Sequence, residues 1–280
     1  GKVRVVEVDG GTVREFEGHG GKEVLSLDFD GVRTASGAVD GTVCVAEVGT
    51  GVERVSRLHP DAYVTGVALA LRSTVVVSAA TDGTVKISGA KDLIPQRHFK
   101  LADSILSLAV SPDYIFLGTQ SGTLHVYSLS PCRPLLSFPA HPRGNLTALA
   151  FHPPSQTLAT GSADCTVRLW SLGSTAATSP PSSTTPATPR LLSGAAHSAA
   201  VVALHLDADK VVSAARDGSV RVWDARSGAF RFAIEGFGLY LSAVAVMGNV
   251  LVCDGRNEVV KAWVFSGERG ADATRGGEEE

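Results

Sequence analysis

The chain has 280 residues, 44% of them hydrophobic, and a formal net charge of −3. That is enough apolar material for one large buried core or two small ones, and it excludes a disordered polymer. The faintly acidic balance excludes a global basic field of the kind that marks nucleic-acid binders. Aromatic residues make up 6% and glycine reaches 30, a composition of many short strands and tight turns.

No apolar run approaches the ~18 residues of a membrane span, and no charged start leads into an apolar signal core. Cys44, Cys132, Cys165 and Cys253 show no CxxC spacing, so they read as reduced, buried thiols in an intracellular protein, cytoplasmic or nuclear. Met247 is the single methionine, and the sequence starts within a strand-like run, "KVRVVEV". A fragment or a processed start is expected.

The first predicted element is a hairpin, "VEVDGGTVREF", whose Asp-Gly-Gly turn pairs the opening strand with Thr12–Gly18. Alternating apolar runs then recur: "VLSLDF", "VTGVALA", "ILSLAV", "LTALAF", "VVALHL" and "LSAVAV". Each is followed by a hairpin with a small-residue strand, a tight turn and a β-branched strand, as in "VVSAARDGSVRVWDA". The turn position falls at Asp40, Asp82, Ser121, Asp164, Asp217 and Asn257, in steps of 42, 39, 43, 53 and 40 residues. A further strand such as "PLLSFPAH" precedes each unit, so the repeat is four strands, and no helical period competes.

The one long step contains "GSTAATSPPSSTTPATPR", residues 173–190, a Ser/Thr/Pro/Ala stretch that cannot bury enough surface to order itself. It is expected to be a disordered insert between repeats. Ser179, Thr185 and Thr188 each precede proline and are candidate phosphorylation sites. Residues 268–280 form a polar tail ending in three glutamates, expected to be solvated and disordered.

"EGH" at Glu17–His19, His59, "PAH" ending at His141, "AAH" ending at His197 and "VWDA" at Val222–Ala225 resemble the WD-repeat family. The resemblance covers about residues 1–267 and implies an all-β propeller, with each repeat ordered as outer strand, then the inner, second and third strands of the next blade. Six full repeats plus the leading hairpin imply a seven-bladed parent whose first blade has its two inner strands upstream of Gly1. A six-bladed ring closed by Thr12–Gly18 is the alternative.

The family also implies a hydrogen-bonded tetrad that staples each blade. It maps onto His141, Ser162, Asp164 and Trp170, and in part onto His197, Asp217 and Trp223, onto His19 and Asp40, and onto His59 and Asp82. The fifth repeat has Ala215 in the serine slot, the first and second have Ala46 and Ser88 in the tryptophan slot, and the third offers Thr119 and Tyr127 without His or Asp. A buried carboxylate needs donors, and the turn amides, imidazole and hydroxyl supply them. "GSADCTVRLW" therefore reads as a staple, because a catalytic triad needs an exposed nucleophile and an oxyanion hole.

Other chemistry fails on spacing. "EGHGGKE" lacks the glycine and the Ser/Thr of a phosphate loop, no HxxxH or HExxH pair exists, and Cys165 has no His or Lys beside it. No catalytic residue, metal site, cofactor, small-molecule substrate or membrane association is expected, and nucleic acid is disfavoured. The resemblance implies a non-enzymatic scaffold that binds other proteins. The alternatives are a substrate-receptor propeller of an F-box/WD ubiquitin ligase, which "LSLDFDGVRTASG" resembles, and a propeller enzyme.

The resemblance implies a binding face that carries the loops leading into each blade and the turn aspartates. Val39, Thr81, Gln120, Ala163, Arg216 and Arg256 precede the turn positions, with Lys22 and Arg143 in lead-in loops and Tyr63 and Tyr240 where strands begin. Glu23, Asp61 and Asp103 share this face. Lys22, Tyr63, Arg143, Arg216, Tyr240 and Arg256 are the candidate contacts, and an acidic or phosphorylated peptide is the partner that the guanidinium forks of Arg216 and Arg256 would hold.

Overall fold

The structure, a computed structural model, describes residues 1–6, 12–72, 74–172, 190–192, 196–236, 241, 243–247, 250–254 and 260–264. Its five four-stranded antiparallel sheets follow one another along the chain. The first is β3 (Val24–Phe29), β4 (Arg33–Ala38), β5 (Val43–Glu47) and β6 (Glu53–Ser56). The second is β7 (Val64–Ala70), β8 (Val75–Ala80), β9 (Thr84–Gly89) and β10 (Pro95–Lys100), and the third β11 (Ile105–Val110), β12 (Tyr114–Thr119), β13 (Thr123–Ser128) and β14 (Pro134–Pro139). The fourth is β15 (Leu146–His152), β16 (Thr157–Ser162), β17 (Val167–Ser171) and β18 (Arg190–Leu191), and the fifth β19 (Val201–Leu206), β20 (Lys210–Ala215), β21 (Ser219–Asp224) and β22 (Phe230–Glu235). Before them β1 (Val3–Val6) pairs with β2 (Thr12–Phe16), and after them β23 (Val244–Met247), β24 (Val250–Asp254) and β25 (Val260–Val264) form a three-stranded sheet.

The first strands of successive sheets lie side by side, which makes them the inner strands of a β-propeller. Burial follows position within a blade. The second strands β4, β8, β12, β16 and β20 are buried almost throughout, because a neighbouring blade covers each face. That explains their runs of Ala, Ser, Gly and Val, where large side chains would force the blades apart. The outer strands β6, β10 and β22 are mostly exposed. The apolar clusters sit between blades, as where Val75, Val77 and Ile87 of the second meet Ile105, Ile115 and Leu117 of the third. Each blade is thus stabilised chiefly by its two neighbours.

Every inner strand of the five complete blades begins with a register shift, as between Val24 and Ser26 or Leu146 and Ala148. Such a bulge re-aims the adjacent side chains. Here it turns a hydroxyl towards the first carbonyl of the next inner strand: Ser26 Oγ to Val64 (3.3 Å), Thr65 Oγ1 to Ile105 (2.8 Å), Ser107 Oγ to Leu146 (2.9 Å) and Thr147 Oγ1 to Val201 (2.5 Å). These four bonds stitch the blades together around the inner ring.

The expected opening hairpin is present, with Val3 opposite Phe16 and Val5 opposite Arg14. Thr12–Phe16 pairs with β1 and, among the described residues, not with the last sheet, so the six-bladed closure is not the arrangement found. The range expected to be disordered also needs correction at its end. Arg190 lies in β18 opposite Leu169, and its guanidinium donates to the Ala225 and Arg226 carbonyls of the next blade. Residues 173–189, with Ser179, Thr185 and Thr188, lie outside the described residues, as do Tyr240, Arg256, Asn257 and the tail 268–280.

Candidate functional site

Each complete blade is organised at one end by the loop that leads in and by the turn between its second and third strands. In the fourth blade His141 is fully buried. Its Nδ1 lies 3.1 Å from Asp164 Oδ2 and its Nε2 lies 2.8 Å from Thr160 Oγ1, to which Trp170 Nε1 also donates at 2.9 Å. A single polarity satisfies all three contacts: the indole N–H donates to Thr160, whose hydroxyl donates to Nε2, while Nδ1–H donates to the carboxylate.

The hydroxyl of the network is therefore Thr160, which replaces Ser162 in the expected set. Ser162 instead accepts from the Asp164 amide at 3.0 Å and caps the turn. Both side chains share one face of β16, two residues apart, and the imidazole reaches the deeper one. The same correction restores the fifth blade, where Ser213, and not the Ala215 slot, meets His197 Nε2 at 2.6 Å while Nδ1 lies 3.0 Å from Asp217. Asp217 Oδ2 also accepts from the Ser198 amide. In this blade Trp223 covers the ring edge-on, but its Nε1 is buried without a partner.

The first and second blades reach their aspartates indirectly. His19 Nδ1 meets Thr42 Oγ1 at 2.7 Å, Thr42 donates to Asp40 at 2.6 Å, and Nε2 lies 2.7 Å from Ser36. His59 repeats this through Thr84, Asp82 and Ser78. The third blade places Leu101 where the others have histidine, its amide on the Gly83 carbonyl as that of His59 is on Gly41. Its carboxylate comes from the lead-in loop: Asp103 accepts from the Ser121 amide at 2.9 Å.

Burial lowers the affinity of all four imidazoles for a proton, taking His59 down to about 4, where the nearby Lys86 adds to the effect. Burial works against ionised aspartates, yet hydrogen bonds from the turn hold Asp40, Asp82 and Asp164 below their ordinary value. Ser219, the Ser198 amide and His197 hold Asp217 down to about 2. Neutral histidine beside ionised aspartate is the arrangement that the donor assignment requires.

Sequence reasoning missed a further contact. The residue four after the turn aspartate reaches the carbonyl that precedes the lead-in histidine: Lys86 to Leu58, Arg168 to Ala140 and Arg221 to Ala196. The recurring cation at that spacing was its signal. The thiols also need correction, since Cys44 is buried, its pKa pushed up to about 12, while Cys132 and Cys165 are partly exposed.

These networks face inward, with Thr160 and Ser162 both fully buried. What they present outward is a ring of side chains on fixed backbone. The amides of Val39, Thr81, Gln120, Ala163 and Arg216 bond the carbonyls of Glu23, Tyr63, Ser104, Asn145 and Ala200, the residues just before each inner strand. Gln120, Ala163 and Arg216 are exposed, and so are Lys22, Tyr63 (56%) and Arg143. Val39 and Thr81 are half-buried. Arg143 and Arg216 stand on adjacent blades, while Glu23, Asp61 and Asp103 lead into the first three. Among the described residues no group of His, Cys, Asp and Glu is placed to hold a metal ion, and no helix is long and apolar enough to cross a membrane.

Residues 10–46, 132–171 and 189–224 match the family model of the WD domain, G-beta repeat. The chain is 31% identical over 159 residues to the target of rapamycin complex subunit wat1 of Schizosaccharomyces pombe, an alignment covering 54% of this chain and 46% of that protein. It is 28% identical over 164 residues to the nuclear distribution protein nudF of Aspergillus niger, covering 45% and 37%. It therefore spans less than half the length of either relative. The crystal structure of the computationally designed Ika8 protein superposes with a TM-score of 0.68 at 25% identity, covering 95% of this chain and 91% of that one.

Proposed function

We propose that this chain, a WD-repeat β-propeller, works as a non-enzymatic scaffold that holds protein partners on the face carrying its lead-in loops and turn aspartates. The observation that carries the reading is the ring of backbone bonds from Val39 to Arg216. It spends the main-chain groups on the fold and leaves Tyr63, Gln120, Arg143 and Arg216 directed outward from a rigid base. Binding on a preorganised surface saves the cost of ordering it. The two named relatives, a complex subunit and a nuclear distribution protein, agree with a role in intracellular assemblies.

The finer reading is an acidic or phosphorylated peptide lying over the fourth and fifth blades, where Arg143 and Arg216 stand exposed and guanidinium groups match carboxylate or phosphate bidentately. Capture of partners on wild type and on Arg143→Glu/Arg216→Glu, with folding checked by circular dichroism, tests it. The double variant is expected to lose its acidic partners. An unchanged partner set on the folded variant removes this site. A ubiquitin-ligase component among the partners would favour the narrower substrate-receptor role.

A further inference from the structure

Turns run through solvent and are built mostly of polar and small residues. At the end of the molecule opposite the turn aspartates, two neighbouring blades depart from this. Val32 and Leu71 stand in the turns between the first and second strands of the first and second blades, at 58% and 45% exposure. Val52 and Ile94 stand in the turns between their third and fourth strands, at 43% and 61%. Among the described residues the corresponding turns of the third, fourth and fifth blades expose no large apolar side chain. Single exposed apolar residues are ordinary, whereas four at one end of two adjacent blades form a patch.

The patch is held on fixed backbone. Asp28 accepts from the Phe29 amide at 2.9 Å and from the Leu69 amide of the next blade at 2.7 Å, which ties the two inner strands together just before the Val32 and Leu71 turns. The other inner strands have Ala68, Ala109, Ala150 and His205 at this position. Asp30 accepts from the Val32 amide at 2.8 Å, Asp92 accepts from the Ile94 amide at 3.0 Å, and Thr74 Oγ1 donates to the Leu71 carbonyl at 2.8 Å. Leu71 and Arg72 hold φ of 51° and 54°, left-handed backbone that strains any residue but glycine. Glycine would relieve the strain and present no side chain.

The charge around the patch leans one way. Residues 71–100 carry five Lys or Arg against two Asp, in a chain whose net charge is −3. Both aspartates, Asp82 and Asp92, are engaged by amides of their own turns. Arg72, Lys91 and Arg97 are exposed and, among the described residues, enter no ion pair.

We propose that this end of the first two blades is a second docking surface, for an acidic segment of a partner protein. Apolar side chains of that segment seat on Val32, Leu71 and Ile94, and its carboxylates meet Arg72, Lys91 and Arg97. The surface lies at the opposite end from the partner face described above, so one propeller holds two partners at once and bridges them. A short segment fits better than a second copy of this chain, because four turn side chains offer far less than the ~800 Å² that each partner buries in a stable interface.

Fluorescence anisotropy with three short synthetic peptides tests this: leucines among glutamates, the same with lysine for glutamate, and the same with serine for leucine. The first should bind about ten-fold more tightly than either control. Leu71→Asp/Ile94→Asp should lose that binding with its circular dichroism unchanged, and Arg72→Glu/Lys91→Glu should turn the preference towards the lysine peptide. Leu71→Gly should raise the thermal midpoint and still weaken the peptide several-fold, which separates binding from folding. Arg143→Glu/Arg216→Glu should bind the peptide as wild type does, so failure here and failure of the other face are told apart. Equal binding of the three peptides, or full binding by Leu71→Asp/Ile94→Asp, would overturn the proposal. So would loss on Arg143→Glu/Arg216→Glu, which moves the peptide to the other face, or a sedimenting dimer that Leu71→Asp disperses, which assigns the patch to a second copy.

Discussion

The fourth and fifth blades set their histidines directly on a carboxylate, whereas the first and second reach theirs through a threonine. The direct pair carries Trp170 and Trp223 on the third strand with Arg168 and Arg221 beside the aspartate, and the relayed pair has Ala46 and Ser88 in the tryptophan slot. What does not vary is the inner contact, imidazole Nε2 to the hydroxyl at Ser36, Ser78, Thr160 or Ser213. The comparison teaches that this hydroxyl contact is the constant part of the staple and that the carboxylate contact is adjustable.

The largest expected effect separates the two modes. Asp164→Ala takes the carboxylate from a fully buried imidazole N–H and from the Thr166 amide, leaving the ring only its longer contact to Thr166 Oγ1 at 3.2 Å, a loss of about 2–4 kcal/mol. Asp40→Ala leaves His19 bonded to Thr42 and should cost about 1 kcal/mol. Urea unfolding of both variants decides the matter, and equal losses would erase the distinction.

Acid should weaken both modes together. Native imidazoles bind protons less readily than unfolded ones, so the unfolded chain takes up more protons and stability falls with falling pH. For His59 this loss runs from the ordinary value near 6.5 down to about 4, and for Asp217 it continues from 3.8 to about 2. From pH 7 to 4 the fall should be on the order of 2–3 kcal/mol from His59 alone. A flat thermal midpoint over that range would contradict neutral buried histidines.

Two substitutions on one strand sharpen the constant part. Thr160→Val should cost about 2 kcal/mol, because it removes the partner of both His141 and Trp170. Ser162→Ala should cost about 0.5–1 kcal/mol, the value of one cap. The reverse order, measured by calorimetry, would return the network to Ser162.

The smallest effect is a gain. Turn glycines Gly41, Gly83, Gly122 and Gly218 have φ between 75 and 81°, and Cys165 holds the same place at φ 67°. The Cys165 side chain is tolerated because no histidine amide docks on its carbonyl, as those of His59 and His141 do on Gly41 and Gly122. Cys165→Gly should raise stability by about 1 kcal/mol in thermal melts.

The propeller was legible because a turn every 40 residues or so, with small residues before it and alternation after it, leaves one economical way to bury the second strands on both faces. The hydroxyl of the staple was misplaced for a local reason. Thr160 and Ser162 are both hydroxyls on one face, and spacing from the aspartate alone does not choose between them. The choice was legible across repeats: four residues before the aspartate stand Ser36, Ser78, Thr160 and Ser213, and two before it stand Ala38, Ala80, Ser162 and Ala215. The stitches from Ser26, Thr65, Ser107 and Thr147 were beyond the pattern, because a bulge decides which side chain turns sideways and alternation does not mark it.

The strand β18 is two residues long, and Arg190 is tied across to the carbonyls of the next blade. A break in the covalent chain between β17 and β18 would therefore divide the molecule almost at a blade boundary, into pieces that each keep whole inner-strand pairs. The two halves would meet through the Thr147–Val201 stitch and the apolar seam of Leu169, Val201 and Trp223. That makes the junction a natural split point, where two separately expressed parts can reassemble or where new termini can be opened in a permuted chain.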